Sequence, residues 1–214
     1  MLIALAGERP FVKPRTKFEI DLDDILSRLE GTPVTKGMFF GRALALLDDR
    51  ADEEPVIEAA GLDETRFVPF MDYPWIDFVR LCCAVSDHIY GRRSAGLRHI
   101  GRTLYTEFAD SVAGRVTFGL LRNNADRVIS LGAKAWNMSG SPGKVISESV
   151  GDCHYRYHFT GFPAEIAETL GVGVLEGALA ECNEIPRILF GRADPMNSVL
   201  DIRWGDAPED DPSS

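Results

Sequence analysis

His154 and His158 are the residues whose types and spacing most resemble a metal site. On a helix, a His-x-x-x-His pair sets two imidazoles side by side, as zinc requires. Here Tyr155, Tyr157 and Phe159 alternate with His154, Arg156 and His158, so the period is two and the segment reads as a strand. Four residues of strand span roughly 13 Å, too far for one metal ion to take both side chains directly. No Glu follows His154, so the metalloprotease motif is incomplete. The pair is expected to lie on a solvated or interfacial strand face. A heme or metal sensor using His154 or His158 is the alternative. His88 falls near the C-terminal end of a helix, where the dipole favours a cation; it and His99 read as structural.

Nucleophilic and phosphate chemistry find less support. Cys153 directly precedes His154, but neighbours on a strand point to opposite faces and cannot pair as nucleophile and base. Cys82 and Cys83 sit inside an apolar helical pattern, which is core usage and not a disulfide framework. No Gly-x-Ser-x-Gly occurs. Gly140-Ser141-Pro142-Gly143-Lys144 resembles a phosphate loop only superficially, because Val145 stands where a magnesium-binding Ser or Thr belongs. Gly171-Val172-Gly173 with Gly177 misses the dinucleotide fingerprint by one residue and lies within a helix. Gly173 and Gly177, one turn apart, are expected to pack closely on the sheet, a partner helix being the other possibility.

Arg102 and Tyr105 share a helix face. Arg102 can grip a ligand carboxylate or phosphate bidentately, or a carboxylate of the protein itself. Arg102, Tyr105 and Arg115 are the candidate polar contacts of a pocket. Tyr73 and Trp75 are its candidate apolar wall, although core packing accounts for both equally well. No catalytic, cofactor-binding or metal-binding residue emerges, and no cofactor is expected.

The elements that must position these residues follow from composition and periodicity. The chain has 214 residues, of which 45% are hydrophobic and 26% charged, the balance of an ordinary globular protein. The formal net charge of -10 repels a phosphate polyanion, so nucleic acid is not an expected partner. Met1 to Ala6 is apolar but short and has no basic region before it, which argues against a signal peptide or a membrane insertion and for a cytoplasmic protein. One domain is expected over 1–204, followed by a disordered acidic tail over 205–214.

Strands are expected at Leu2–Ala6 and Lys17–Leu22, then a helix capped by Asp21 or Asp23. Thr35 is expected to cap a helix through Leu47, and a short helix should end at Gly61. Phe67 to Pro74 reads as a connector. Trp75 to Tyr90 carries the clearest helical stripe. A helix from Ser94 to Ser111, interrupted at Gly101, an extension over Arg115 to Leu121 and a helix over Asn124 to Asn137 complete the first half. The period then changes to two over Lys144–Val150 and Cys153–Phe159. A helix opened by Pro163 runs to Cys182, and strands follow at Arg187–Phe190 and Val199–Trp204. This is an α+β architecture: a helical N-terminal half, then a β-β-α-β-β antiparallel sheet unit with helices packed on it.

Several short elements carry a family resemblance: Thr35-Lys36-Gly37-Met38-Phe39-Phe40, Ala60-Gly61-Leu62, Asp72-Tyr73-Pro74, Gly101-Arg102-Thr103-Leu104-Tyr105 and Gly173-Val174-Leu175-Glu176-Gly177-Ala178. Together they resemble an uncharacterised family of proteins of about this length from myxobacteria, over residues 20–204. At the level of fold, the order of elements is similar to the superfamily of heme–nitric oxide binding, vinyl-reductase and TRAPP domains. That resemblance implies a ligand-holding fold that often dimerises. It implies no cofactor here. The stretch matching the heme members' proximal histidine, Asn124 to Asn137, has no His, and their Tyr-x-Ser-x-Arg signature is missing. Cys182 alone stands where the vinyl-reductase type carries a group of cysteines.

The expected function is a non-enzymatic signalling or scaffold domain. It would bind a small apolar ligand or a protein partner between the helical half and the sheet. A structural homodimer without ligand, using the Gly173 and Gly177 face or an edge strand, is the further alternative.

Overall fold

The computed structural model describes residues 20–49, 52–64, 66–110, 115, 124–140 and 142–205. The expected strand at Leu2–Ala6, most of the extension beyond Arg115 and the acidic tail fall outside the described residues.

The helical half begins with α1 (Leu22–Arg28), α2 (Gly37–Leu44) and α3 (Glu53–Ala59), continuing through α4 (Trp75–Tyr90), α5 (Arg93–Asp110) and α6 (Ala125–Met138). Its caps follow local chemistry. The Asp21 carboxylate accepts from the Asp23 and Asp24 amides, and Asn124 accepts from the Arg127 amide. Gly91, with a left-handed φ of 60°, ends α4. Of the strand expected over Lys17–Leu22, residues 17–19 fall outside the described ones, while Ile20 and Asp21 are not in a strand and Leu22 begins α1.

Two further expectations are corrected in this half. Thr35 caps no helix. It lies at the centre of strand β1 (Val34–Lys36), paired antiparallel with β2 (Asp72–Pro74), inside the stretch expected to be a plain connector. The cause is non-local, because Tyr73, opposite Thr35, is drawn inward by ring contacts with Phe40 and Phe67. Gly101 does not interrupt α5, which runs unbroken to Asp110.

The second half is a four-stranded antiparallel sheet. Hairpins β3 (Lys144–Gly151) with β4 (His154–Thr160) and β5 (Arg187–Asp194) with β6 (Asn197–Arg203) meet at β4 and β6, giving the order β3-β4-β6-β5. The alternation of β4 is plain: Tyr155, Tyr157 and Phe159 are buried in the core, while His154, Arg156 and His158 point to the other face. The last pair of strands is longer than its apolar residues alone suggest, because ladder pairing extends to Asp194 and Asn197. Asn137 ties α6 to β3 by a two-way amide clamp, donating to the Val145 carbonyl (2.8 Å) and accepting from its N–H (2.9 Å).

Between the hairpins runs a helix in three pieces: α7 (Ala164–Ile166), a π segment over Ala167–Gly171, and α8 (Val172–Ala180). Here Gly173 and Gly177 face helix α5 and not the sheet, which corrects the expected packing. A Cβ at Gly173 would lie 2.1 Å from the Arg98 carbonyl oxygen, and one at Gly101 would lie 2.3 Å from that of Leu170. Only hydrogen fits, so the two backbones touch. On the outer side of this crossing the Glu176 carboxylate receives both Arg98 and Arg102.

Candidate ligand-binding cavity

Where the helical half meets the sheet unit, a cavity of about 100 Å³ remains. Helices α4, α5, α6 and α8 form its walls, Tyr157 of β4 forms its floor, and Leu170 enters from the π segment. The extra residue of a π turn offsets the side chains that follow it, and such turns recur at functional sites. The lining is carbon-rich, with Trp75, Phe78, Phe108, Trp136 and Phe162 supplying aromatic surface. Trp136 meets Phe159 and Phe162 edge-on, with centroids 5.4 and 5.6 Å away.

The polar groups of the wall are mostly occupied. The Tyr157 hydroxyl is fully buried and donates to the Ile129 carbonyl. Burial holds its pKa far above the ordinary phenol value. The Thr35 hydroxyl donates to the Ser139 carbonyl at 3.3 Å. The Trp136 indole nitrogen differs, being buried with no hydrogen-bond partner among the described residues.

Of the residues singled out from sequence, Trp75 and Tyr105 line this cavity. Tyr73 lies outside the lining, in the β1–β2 aromatic cluster, its hydroxyl accepting from the Val68 amide at 2.9 Å. Arg102 is half-exposed and donates through Nε to Glu176 at 2.8 Å. Arg115 is exposed and also lies outside the lining. Sequence reasoning missed Trp136, Gly132 and the π segment. A tryptophan near the end of an amphipathic helix was the visible signal. Gly132 was hidden because its role is non-local: a Cβ there would lie 2.3 Å from the Tyr157 hydroxyl oxygen.

The four histidines are all away from the cavity lining. His154 and His158 share the outer sheet face but keep separate partners. His158 meets Glu148 at 2.9 Å, His88 meets Asp52 at 3.4 Å, and His99 packs on the Tyr90 ring. His154 donates to Asp201, whose carboxylate also receives Arg156 and Arg203, each contact 3.0 Å long. Among the described residues no group of three or more His, Cys, Asp or Glu is arranged to hold a metal ion. None of the four cysteines forms a disulfide. Burial pushes Cys83 up to about 12 and Cys82 well above its usual value, so neither forms a thiolate nucleophile near neutral pH.

Glu176 and Asp201 also set an acid limit on stability. Burial works to raise both pKa values, yet the hydrogen bonds from Arg98 and Arg102, and from His154, Arg156 and Arg203, outweigh it and hold both below the ordinary carboxylate range. The unfolded chain therefore binds these protons more readily than the folded one. The stabilisation is complete above the unfolded values, about pH 4, and is lost as pH falls below them through the folded values. Melting temperature should be level from pH 7 to 5 and fall below pH 4, with a shallower acid fall in Glu176→Gln. An equally steep fall in that variant would remove Glu176 from the account.

The family described as "Protein of unknown function (DUF2378)" matches residues 32–205. The chain belongs to this family. No curated protein matches this DUF2378 chain. Solved structures do. An H-NOX protein from S. oneidensis in the Fe(II)NO ligation state is similar at 10% identity and a TM-score of 0.66, over 80% of this chain and 99% of that one. The Fe(II) unliganded H-NOX protein from K. algicida is similar at 13% identity and a TM-score of 0.60, over 81% of this chain and 98% of that one. These likenesses show that the DUF2378 chain has an H-NOX-like α+β fold. No helix among the described residues is long and apolar enough to cross a membrane.

Proposed function

We propose that this chain is a non-catalytic ligand-binding domain of the sensor type, which holds a small apolar molecule between its helical half and its sheet. The observation that carries this reading is the carbon-lined cavity at that junction, crossed by a π turn. Support comes also from the fold neighbours, which include H-NOX proteins with Fe(II) and Fe(II)NO ligation and one described for porphyrin distortion.

Heme itself does not fit the residues present. The described lining contains no His, Cys or Met to serve as an axial ligand, and the Tyr157 phenol is committed to Ile129. His154 and His158 lie across the sheet, on the face opposite Tyr157. A volume of about 100 Å³ is also smaller than the cavity of about 150 Å³ that accepts one benzene ring.

Native mass spectrometry of the protein as purified, with an absorption scan of the same sample, tests the reading. A bound mass below that of a porphyrin, without a Soret band, is expected. Ala178→Leu, which fills the cavity from α8, should abolish it. A Soret band with a stoichiometric heme mass would overturn the assignment, and so would a bound mass that persists in the filled variant.

A further inference from the structure

We propose that the cavity selects a compact, uncharged, single-ring molecule carrying one hydrogen-bond acceptor, to which the Trp136 indole N–H donates. This rests on the ligand-binding reading above and adds the chemistry of the ligand.

Size comes first. The cavity has roughly two thirds of the volume that holds a benzene ring, which limits the occupant to about one small ring. Charge comes second. No Lys, Arg, His, Asp or Glu belongs to the described lining, so an ionised ligand would lose its hydration and gain no counter-charge. An unpartnered donor among the described residues comes third. An indole N–H can only donate, and a buried donor without an acceptor is costly enough that native proteins rarely keep one. The hydroxyls of Tyr157 and Thr35 already donate to protein carbonyls. The Trp136 N–H has no such outlet among the described residues.

The ring is also held in place. Phe159 and Phe162 meet it edge-on, and a Cβ added at Gly171 would lie only 3.5 Å from its Cη2 atom. Phenylalanine would supply the same packing without an orphaned donor. A ligand oxygen brought against the indole edge satisfies that donor, while the apolar walls take the rest of the molecule.

Three probes of six non-hydrogen atoms each separate the parts of this proposal: cyclopentanone, methylcyclopentane and cyclopentylammonium. Each is titrated into the full chain, following the methyl resonances of Leu104, Val128, Ile129 and Leu170 and the indole N–H resonance of Trp136. Cyclopentanone is expected to bind about five-fold more tightly to the wild type than to Trp136→Phe, the ratio one neutral hydrogen bond supplies. It alone should move the indole proton downfield, and the ammonium should not bind. Trp136→Phe should leave the affinity for the hydrocarbon unchanged.

Equal affinity of the ketone for the wild type and Trp136→Phe, or an unmoved indole proton in the wild type, would each overturn the ligand class. Xenon separates that failure from failure of the cavity reading. If xenon shifts the methyl resonances while none of the three probes binds, the ligand class is wrong and the cavity stands. If xenon also leaves them unmoved, both fall. The indole proton of the wild type decides the matter even if Trp136→Phe does not fold.

Discussion

Asp201→Ala is expected to destabilise the fold by about 3 kcal/mol, the low end of the range for breaking a buried ion pair. Asp201 sits on the outward side of β6, yet its carboxylate is 2% exposed because His154, Arg156 and Arg203 close over it. Arg203 is itself 9% exposed, and its Nε donates to Oδ1. Removing the carboxylate takes a hydrogen-bonded counter-charge from this buried guanidinium and from that of Arg156 beside it. Chemical denaturation at pH 7 measures the loss, and a change under 1 kcal/mol would show that water takes over the shell. The paired change Asp201→Leu with Arg203→Leu should recover most of the stability, since an apolar pair needs no such compensation.

Gly173→Ala should cost about 2 kcal/mol and lower the melting temperature by about 4–8 °C. The new Cβ would meet the Arg98 carbonyl oxygen and the Gly101 backbone, neither of which can rotate aside. Forcing α5 and α8 apart costs about 3 kcal/mol, and the better helix propensity of alanine returns about 1. Gly41, in the exposed part of α2, is the matched control, because a Cβ there meets nothing within 4 Å. Gly41→Ala should stabilise by about 0.5–1 kcal/mol. A Gly173→Ala protein as stable as wild type would mean that the helices part without loss. The cavity wall also feels this crossing, since Val174 and Leu175 follow Gly173 directly.

Much of the fold was legible in the chain because it is recorded locally. The stripe from Trp75 to Tyr90 marks a helix to the residue, and the alternation from His154 to Phe159 separates the core face of β4 from its polar face. Asp21 and Asn124 announce helix starts through their own side chains. From such signals the order of helices and hairpins, and so the α+β class, can be read, because each depends on residues within a few positions of one another.

What only the tertiary structure decided depends on residues far apart. Thr35 has the type of a cap, but pairing with Tyr73 makes it a strand residue. Gly101 has the look of a break, but the opposing backbone at Gly173 makes it a contact point. Asp201 is patterned as a solvated strand residue, yet a histidine and two arginines from two strands bury it. The cavity is the extreme case. It is the space that α4, α5, α6, α8 and β4 fail to fill, and no local pattern records an unfilled volume. Trp75 and Tyr105 could be singled out by type, but that they share a wall with Trp136 follows only from how those elements pack. Periodicity tells a residue which way to face, and packing alone determines what it meets there.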